Sequence, residues 1–464
     1  MPLPTITVRD QQQVQPLHVS QMTIYKQCKI IDAKDESGQS YYIFFHNDQY
    51  LNYVRPKKVT KRSHVTHALK KGITLPAPHP LIDATLSSNP QVKKQDFNDL
   101  FKKLQTQYNA QETTLIATYF ESFIKKEKLA HFIQTLFYKE RRDGKWFSCY
   151  RIYHLLKDFS PNHPLVDTFS GNLDFTRYDS RYKNNDENLL AKDPIYVEKN
   201  LYPYRFQTTT FHQLTALYKS QSRWIDLIGI HITHLTKTKT SEDYKVLVAL
   251  IDDHFNEEKR LGILKDLYKR GVEIEPLIQD LLYSYVKSER PEEAISLIGQ
   301  HQISMEPSLT KALLDIEKKK DISEQSISPE GWRTFTLALF ESEDPQASEI
   351  LHEAVSSLLN NHEIPYLSKW IRPLRDFQQA KPLIENIDEM NRIAEDPNQQ
   401  RRLGELFYFF HQPEKAIECM SWDMELYVED PQPVQWLAKL YHETGMEEEH
   451  HAYKQLYIDM VKRA

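Results

Sequence analysis

His231 and His234 stand three residues apart, which puts both imidazoles on one helical face, and Asp226 lies just upstream. Two imidazoles and a carboxylate make half of a metal site. A chain with 19 histidines places such pairs by chance, so they read as a solvated or capping pair and no metal is expected. Asp252-Asp253-His254 carries the residue types of a metal-dependent phosphohydrolase in reversed order. Neighbouring carboxylates, Asp186-Glu187 and Glu447-Glu448-Glu449, hold the groups of an acid and base pair, but nothing marks a partner or a pocket. They read as solvated faces. No Gly-x-Ser-x-Gly elbow occurs, and no cysteine has a nucleophile's local context. Only 11 glycines occur in 464 residues, and the closest two, Gly262 and Gly271, are nine apart. Neither a dinucleotide-binding Gly-x-Gly-x-x-Gly nor a P-loop is therefore present. The sequence identifies no reaction; the expectation is a non-catalytic protein that needs no cofactor.

Binding chemistry is better represented. Arg55-Pro-Lys57-Lys58-Val-Thr-Lys61-Arg62-Ser-His64, followed by Lys70-Lys71, lies beside Tyr41, Tyr42, Phe44, Phe45, Tyr50 and Tyr53. Cations that hold phosphates next to rings that stack on bases have the composition of a single-stranded nucleic-acid surface. Lys57, Lys58, Lys61 and Arg62 are its candidate contacts. The competing reading puts the aromatics in a small sheet's core and leaves the lysines to keep its edge soluble. Arg177 to Lys183, with Tyr178 and Tyr182, is a second patch open to the same two readings. The formal charge of −6 conceals a split: residues 1–95 carry 13 Lys plus Arg against 6 Asp plus Glu, while the remainder carries 46 against 59. The basic front either meets a polyanion or docks on the acidic part.

The elements that position these groups change type along the chain. Thr5–Val8, Met22–Ile31 and Tyr41–Phe45 are rich in β-branched and aromatic residues, with a turn centred on Gly38, so 1–75 reads as a small, basic, β-rich module. The segment 76–95 reads as a proline-rich linker in which helices do not persist. Apolar residues then recur at three and four spacing, so 96–240 reads as helical, interrupted by an aperiodic insertion over 160–206. The front lacks the basic start and apolar core of a secretory signal, and no apolar run approaches a membrane span. Cys28, Cys149 and Cys419 form no CxxC pair. A soluble cytoplasmic protein is expected.

The strongest signal is internal repetition. Glu395-Asp396-Pro397 recurs 34 residues later as Glu429-Asp430-Pro431, and the same offset relates Leu403 to Leu437, Gly404 to Ala438, Leu406 to Leu440 and Phe407 to Tyr441. Asp before Pro starts a helix, apolar positions bury one face, and a small residue lets a second helix approach. With Leu403-Gly404, Phe407 and Ala416-Ile417 at its expected offsets, this unit resembles the tetratricopeptide repeat family, and Pro291-Glu-Glu-Ala-Ile295 echoes Pro413-Glu-Lys-Ala-Ile417. The resemblance implies a mainly α-helical solenoid over 241–464, whose first helices line a groove for a peptide or partner helix. Carried onto the matching unit, the groove candidates are Arg401, Glu405 and Tyr408, then Gln435, Lys439 and His442. The expected function is a scaffold or adaptor that binds protein segments; the alternative is a nucleic-acid-associated factor using the basic front.

Overall fold

The β-rich front is larger than its three strongest segments. β1 (Thr5–Asp10), β2 (Gln13–Tyr25), β3 (Cys28–Lys34), β4 (Ser40–His46) and β5 (Gln49–Val54) run as an antiparallel meander. β6 (Ile73–Pro76) pairs antiparallel with β2, and β7 (Val92–Lys93) pairs parallel with β1. The run Met22–Ile31, expected as one strand, is two: Lys26 takes a φ of 56° and turns the chain between β2 and β3. These elements come from a computed structural model that describes residues 5–10, 13–56, 59–88, 92–184, 187–303, 306–317 and 327–463.

The sheet curls until its ends meet. Asn52 of β5, 1% exposed, donates its side-chain amide to the carbonyl of Gln95 at 2.8 Å and accepts the Gln95 N–H at 3.0 Å, just beyond β7. Tyr50 donates to the Lys93 carbonyl at 2.7 Å. Side chains thus stand in for ladder bonds where the edges β5 and β7 approach, and the module is barrel-like. Register shifts in β2 at Val19/Gln21 and in β4–β5 at Phe44/Phe45 are bulges that sharpen the bend. Both faces are covered, which is why Cys28, Lys29, Ile30 and Ile31 are buried in succession.

The chain divides into two compact units, 1–277 and 278–464. In the first, α1 (His64–Lys71) and α2 (Pro80–Ser87) flank β6. The stretch read as a linker therefore carries a helix. Pro80 sits at its first turn, where a missing N–H costs nothing, and the His79 Nδ1 accepts the Leu81 N–H at 3.1 Å. Pro80, Leu81, Ile82 and Thr85 are buried. α3 (Phe97–Gln107) and α4 (Ala110–Tyr119) then cover the sheet: Leu100, Leu104, Ile116 and Phe120 share a core with Ile30, Phe44 and Leu51.

A second core joins α5 (Lys126–Arg142) and α6 (Trp146–Phe159) to the aperiodic insertion. That insertion is a run of short helices, α7 (Pro164–Phe169), α8 (Leu173–Lys183), α9 (Glu187–Leu190) and α10 (Pro194–Leu201), too brief to show a period. Phe169, Phe175 and Tyr182 bury against α5 and α6. α11 (Thr208–Ser220), α12 (Trp224–Thr238), α13 (Ser241–Asp252) and α14 (Glu257–Lys269) complete the unit. The boundary of the units falls in α15 (Glu275–Lys287).

The second unit is helix after helix: α16 (Pro291–His301), α17 (Pro307–Glu317), α18 (Pro329–Glu341), α19 (Ala347–Asn361), α20 (Ile364–Trp370), α21 (Lys381–Ile393), α22 (Gln400–Phe409), α23 (Pro413–Leu426), α24 (Pro431–Glu443) and α25 (Glu447–Arg463). From α21 onward each helix packs on the next, as in a repeat array. Asp430 accepts the Gln432 N–H and caps α24 as expected, whereas Asp396 accepts the Asn398 N–H and caps a single 3-10 turn, Pro397–Gln399, that leads into α22. Glycines mark the tightest approaches. A Cβ on Gly404 would lie 3.1 Å from the Cys419 Cβ across the α22–α23 hairpin. On Gly299 it would lie 2.2 Å from the Gly331 backbone nitrogen and 2.4 Å from its Cα, because α16 and α18 cross backbone to backbone. Gly299→Ala should therefore cost about 1–3 kcal/mol in urea denaturation, the range for overpacking, whereas Gly171→Ala, which meets no atom within 4 Å, should leave the midpoint unchanged.

Candidate functional site

Four buried charges tie the β-module to helices almost two hundred residues away. Lys29 of β3, fully buried, places its ammonium 2.5 Å from Asp226 of α12, 2.9 Å from Asp48 and 2.9 Å from the Asn47 carbonyl. Arg223, which precedes α12, bonds Asp226 at 2.9 Å and Glu198 of α10 at 2.6 Å. Glu198 also accepts from Gln27 at 2.5 Å and from the Tyr218 hydroxyl at 2.9 Å. Arg223 donates once more to the Lys26 carbonyl at 2.8 Å. Burial pushes the Asp226 carboxyl up, but the Arg223 and Lys29 cations more than reverse this and hold it below the usual carboxylate range. The network fastens the β2–β3 turn to α10 and α12.

Asp226 is thus engaged as a counter-ion and cannot complete a metal site with His231 and His234. Neither histidine is solvated or a cap, as their spacing suggested; both are 6% exposed. His234 stacks on Phe211 with centroids 3.8 Å apart and lies 3.7 Å from Asp243, while His231 meets the same ring edge-on. Burial lowers the His231 pKa to about 4. His254 stacks on Trp224, and Asp252 pairs with Arg260 at 3.0 Å, with Asp252, Asp253 and His254 all exposed at the end of α13. Glu447 to Glu449 form the exposed first turn of α25, a solvated face as read; Asp186 lies outside the described residues. Among the described residues no three His, Cys, Asp or Glu side chains converge as a metal site.

The basic stretch divides. Lys57 and Lys58 lie outside the described residues. Lys61 and Arg62 are exposed, and Arg62 lines a cleft of about 450 Å³ on the first unit. Of the aromatics beside it, Tyr41, Phe44, Phe45 and Tyr53 are at most 6% exposed, because both faces of β4 and β5 are packed, while Tyr42 and Tyr50 are half-buried. Tyr41, Phe44, Phe45 and Tyr53 therefore belong to the core and are not free to stack on bases. Tyr178 and Tyr182 likewise pack on Tyr150, and Tyr182 donates to Asp193 at 2.8 Å.

The cleft lies between the β2–β3 turn, the start of α1, α4, the ends of α5 and α6, and α10. Lys26 and Gln27 supply one wall and Lys199, next to Glu198, another, so the ion network sets the distance between walls. Glu121 accepts the backbone N–H of His64 at the first turn of α1, and burial raises its pKa. Lys199 pairs with Asp158. Burial lowers the Lys26 ammonium and takes the His64 imidazole down to about 3. Composition marked Arg62; Lys26, Lys126 and Lys199 carried no signal, because three separate elements bring them together.

On the second unit, the six expected groove residues lie on α22 and α24. Arg401 is engaged within the chain: it pairs with Asp423 at 2.7 Å and with Asp430, the next cap, and donates to Gln432 at 2.9 Å. Glu405 lies 3.3 Å from Arg402. Tyr408 and Lys439 do meet: the ammonium sits 4.3 Å above the Tyr408 ring and 4.8 Å above Trp436, and the Tyr408 hydroxyl donates to Glu443 at 3.1 Å. His442 lies 3.5 Å from Glu447, and Gln435 is exposed. Trp436 and Glu443 were not anticipated; Trp436 aligns with Arg402 in the 34-residue offset, so repetition hid it.

No protein-family model and no curated protein matches the chain. Among solved structures, similarity is found to "Structure of Naa15/Naa10 bound to HypK-THB", at 13% identity over 76% of this chain and 64% of that one, with a TM-score of 0.20. The chain therefore spans under two thirds of that match. A circular tandem repeat protein with novel repeat topology matches at 14% identity over 78% and 74% of the two chains, with a TM-score of 0.11.

Two measurements probe the ion network and its surroundings. Asp226→Asn leaves two buried cations short of a counter-charge and should cost about 3–5 kcal/mol in chemical denaturation. Because His231 is neutral when folded and charges more readily when unfolded, the unfolded state binds more protons between pH 6.5 and about 4. Stability should fall as pH drops through that window, with a shallower fall in His231→Asn; a pH-independent melting temperature would contradict the burial.

Proposed function

We propose that the chain is a non-catalytic cytoplasmic scaffold of tetratricopeptide type, which binds a partner's segment along the first helices of its C-terminal hairpins. One observation carries the reading. The successive first helices α22 and α24 present a joint cluster, Tyr408, Trp436, Lys439 and Glu443, that is exposed or half-exposed. Lys439 rests on two ring faces, and no carboxylate within the chain pairs with it among the described residues. Its charge is available to a partner's carboxylate, with Trp436 as the apolar anchor beside it. Arg401, tied down by two carboxylates, is a strut between repeats, so selectivity falls to Lys439 and His442.

The remaining features fit this role. Cys28, Cys149 and Cys419 are free and buried, and burial pushes the Cys149 and Cys419 thiols up to about 12, away from nucleophilic use. Among the described residues no helix is long and apolar enough to cross a membrane. In crosslinked pull-downs from the cells that make the protein, one stoichiometric protein partner should be retained by the natural chain. Tyr408→Ala with Lys439→Glu should weaken that complex roughly tenfold or more with the far-ultraviolet circular dichroism unchanged. A partner held equally well by the double variant would place the binding surface elsewhere.

A further inference from the structure

The cleft on the first unit holds charge that a scaffold does not use. Its lining has four cations, Lys26, Arg62, Lys126 and Lys199, against two carboxylates, Glu121 and Asp158, a formal excess of two positive charges. Both carboxylates are occupied, Asp158 by Lys199 and Glu121 by the His64 N–H. Lys26, Arg62 and Lys126 have no carboxylate within ion-pair distance among the described residues; Lys26 and Lys126 rest only on ring faces, 5.0 Å from Tyr25 and 5.1 Å from Phe159. A half-buried ammonium left unmatched is costly. The buried Nε2 of His64 also has no hydrogen-bond partner. Arg62 is held at a φ of 63°, a left-handed conformation that strains a residue with a Cβ. Leu115, Leu155, Phe159 and Ile195 give the lining an apolar part, beside the polar Gln27, His67 and Thr118.

We propose that this cleft binds a phosphate monoester carried on a ring-containing body, with the phosphate against Lys26, Arg62 and Lys126 and the body against Leu115, Leu155 and Phe159. A monoester is close to a dianion at neutral pH and cancels the excess charge, which a single carboxylate does not. About 450 Å³ accommodates a small ligand of mononucleotide size. Such a group is found on a free mononucleotide and on the 5′-phosphorylated end of an oligonucleotide.

The test is calorimetric titration of the full chain with AMP, adenosine, and an oligonucleotide bearing either a 5′-phosphate or a 5′-hydroxyl. AMP should bind, with adenosine at least about tenfold weaker, the scale of a charge-assisted phosphate contact. Arg62→Ala with Lys126→Ala, both at exposed positions, should weaken AMP by a similar factor without changing the melting temperature. Lys61→Ala, outside the lining, should leave binding unchanged. Recognition of only the 5′-phosphorylated oligonucleotide besides AMP identifies a polymer end as a source, and recognition of AMP alone identifies the free ester. No AMP binding, adenosine binding as tightly as AMP, or a double variant that binds like the natural chain would overturn the proposal.

Discussion

Everything in the first unit depends on burying Lys29, Arg223, Glu198 and Asp226 together. Each charge taken from water alone would cost several kcal/mol, so none of the four is tolerable without the others. They belong to β3, the approach to α12, α10 and α12 itself, and their pairing requires those elements to be in place at once. Such a network contributes little net stability compared with apolar packing, but it is intolerant of misplacement. It selects one docking of the sheet on its helices, and through Gln27 and the Lys26 carbonyl it also fixes the turn that walls the cleft.

The second unit solves a simpler problem with a simpler device. Its helices bury apolar faces on one another, in chain order from α21 onward and with α16 against α18 before that, and specificity comes from how closely backbones can approach. Gly299 against Gly331 sets one crossing, and Gly404 against Cys419 sets another. Arg401 then spans from one hairpin to the cap of the next, linking repeat to repeat through Asp423 and Asp430. Arg401, which the repeat resemblance marks as a groove residue, is therefore part of the frame, while Lys439, held over two rings, is exposed.

Much of this was legible. Helical periodicity marks the α-rich body, and the 34-residue offset locates the hairpins α22–α23 and α24–α25, with the Asp430 cap and the Asp396-capped turn at their starts. The insertion over 160–206 was located but not interpreted, because its helices are shorter than the window in which a period shows. The proline-rich stretch reads as a linker but carries α2, because proline breaks a helix only from inside it and Pro80 lies at the start. His231 and His234 read as solvated but are buried, since spacing along a helix does not say whether that face meets water or Phe211.

The sequence by itself determined the local quantities: that the front is β-rich and the body helical, that one unit repeats at 34 residues, and that no Gly-x-Gly-x-x-Gly or P-loop motif occurs. These follow from residue type and spacing within a few turns of chain. Tertiary structure alone decided which charges are internal and which are free, because Lys29 and Asp226 are 197 residues apart in the chain and 2.5 Å apart in space. Electrostatic partnership depends on distance and burial, and neither can be read from order along a chain.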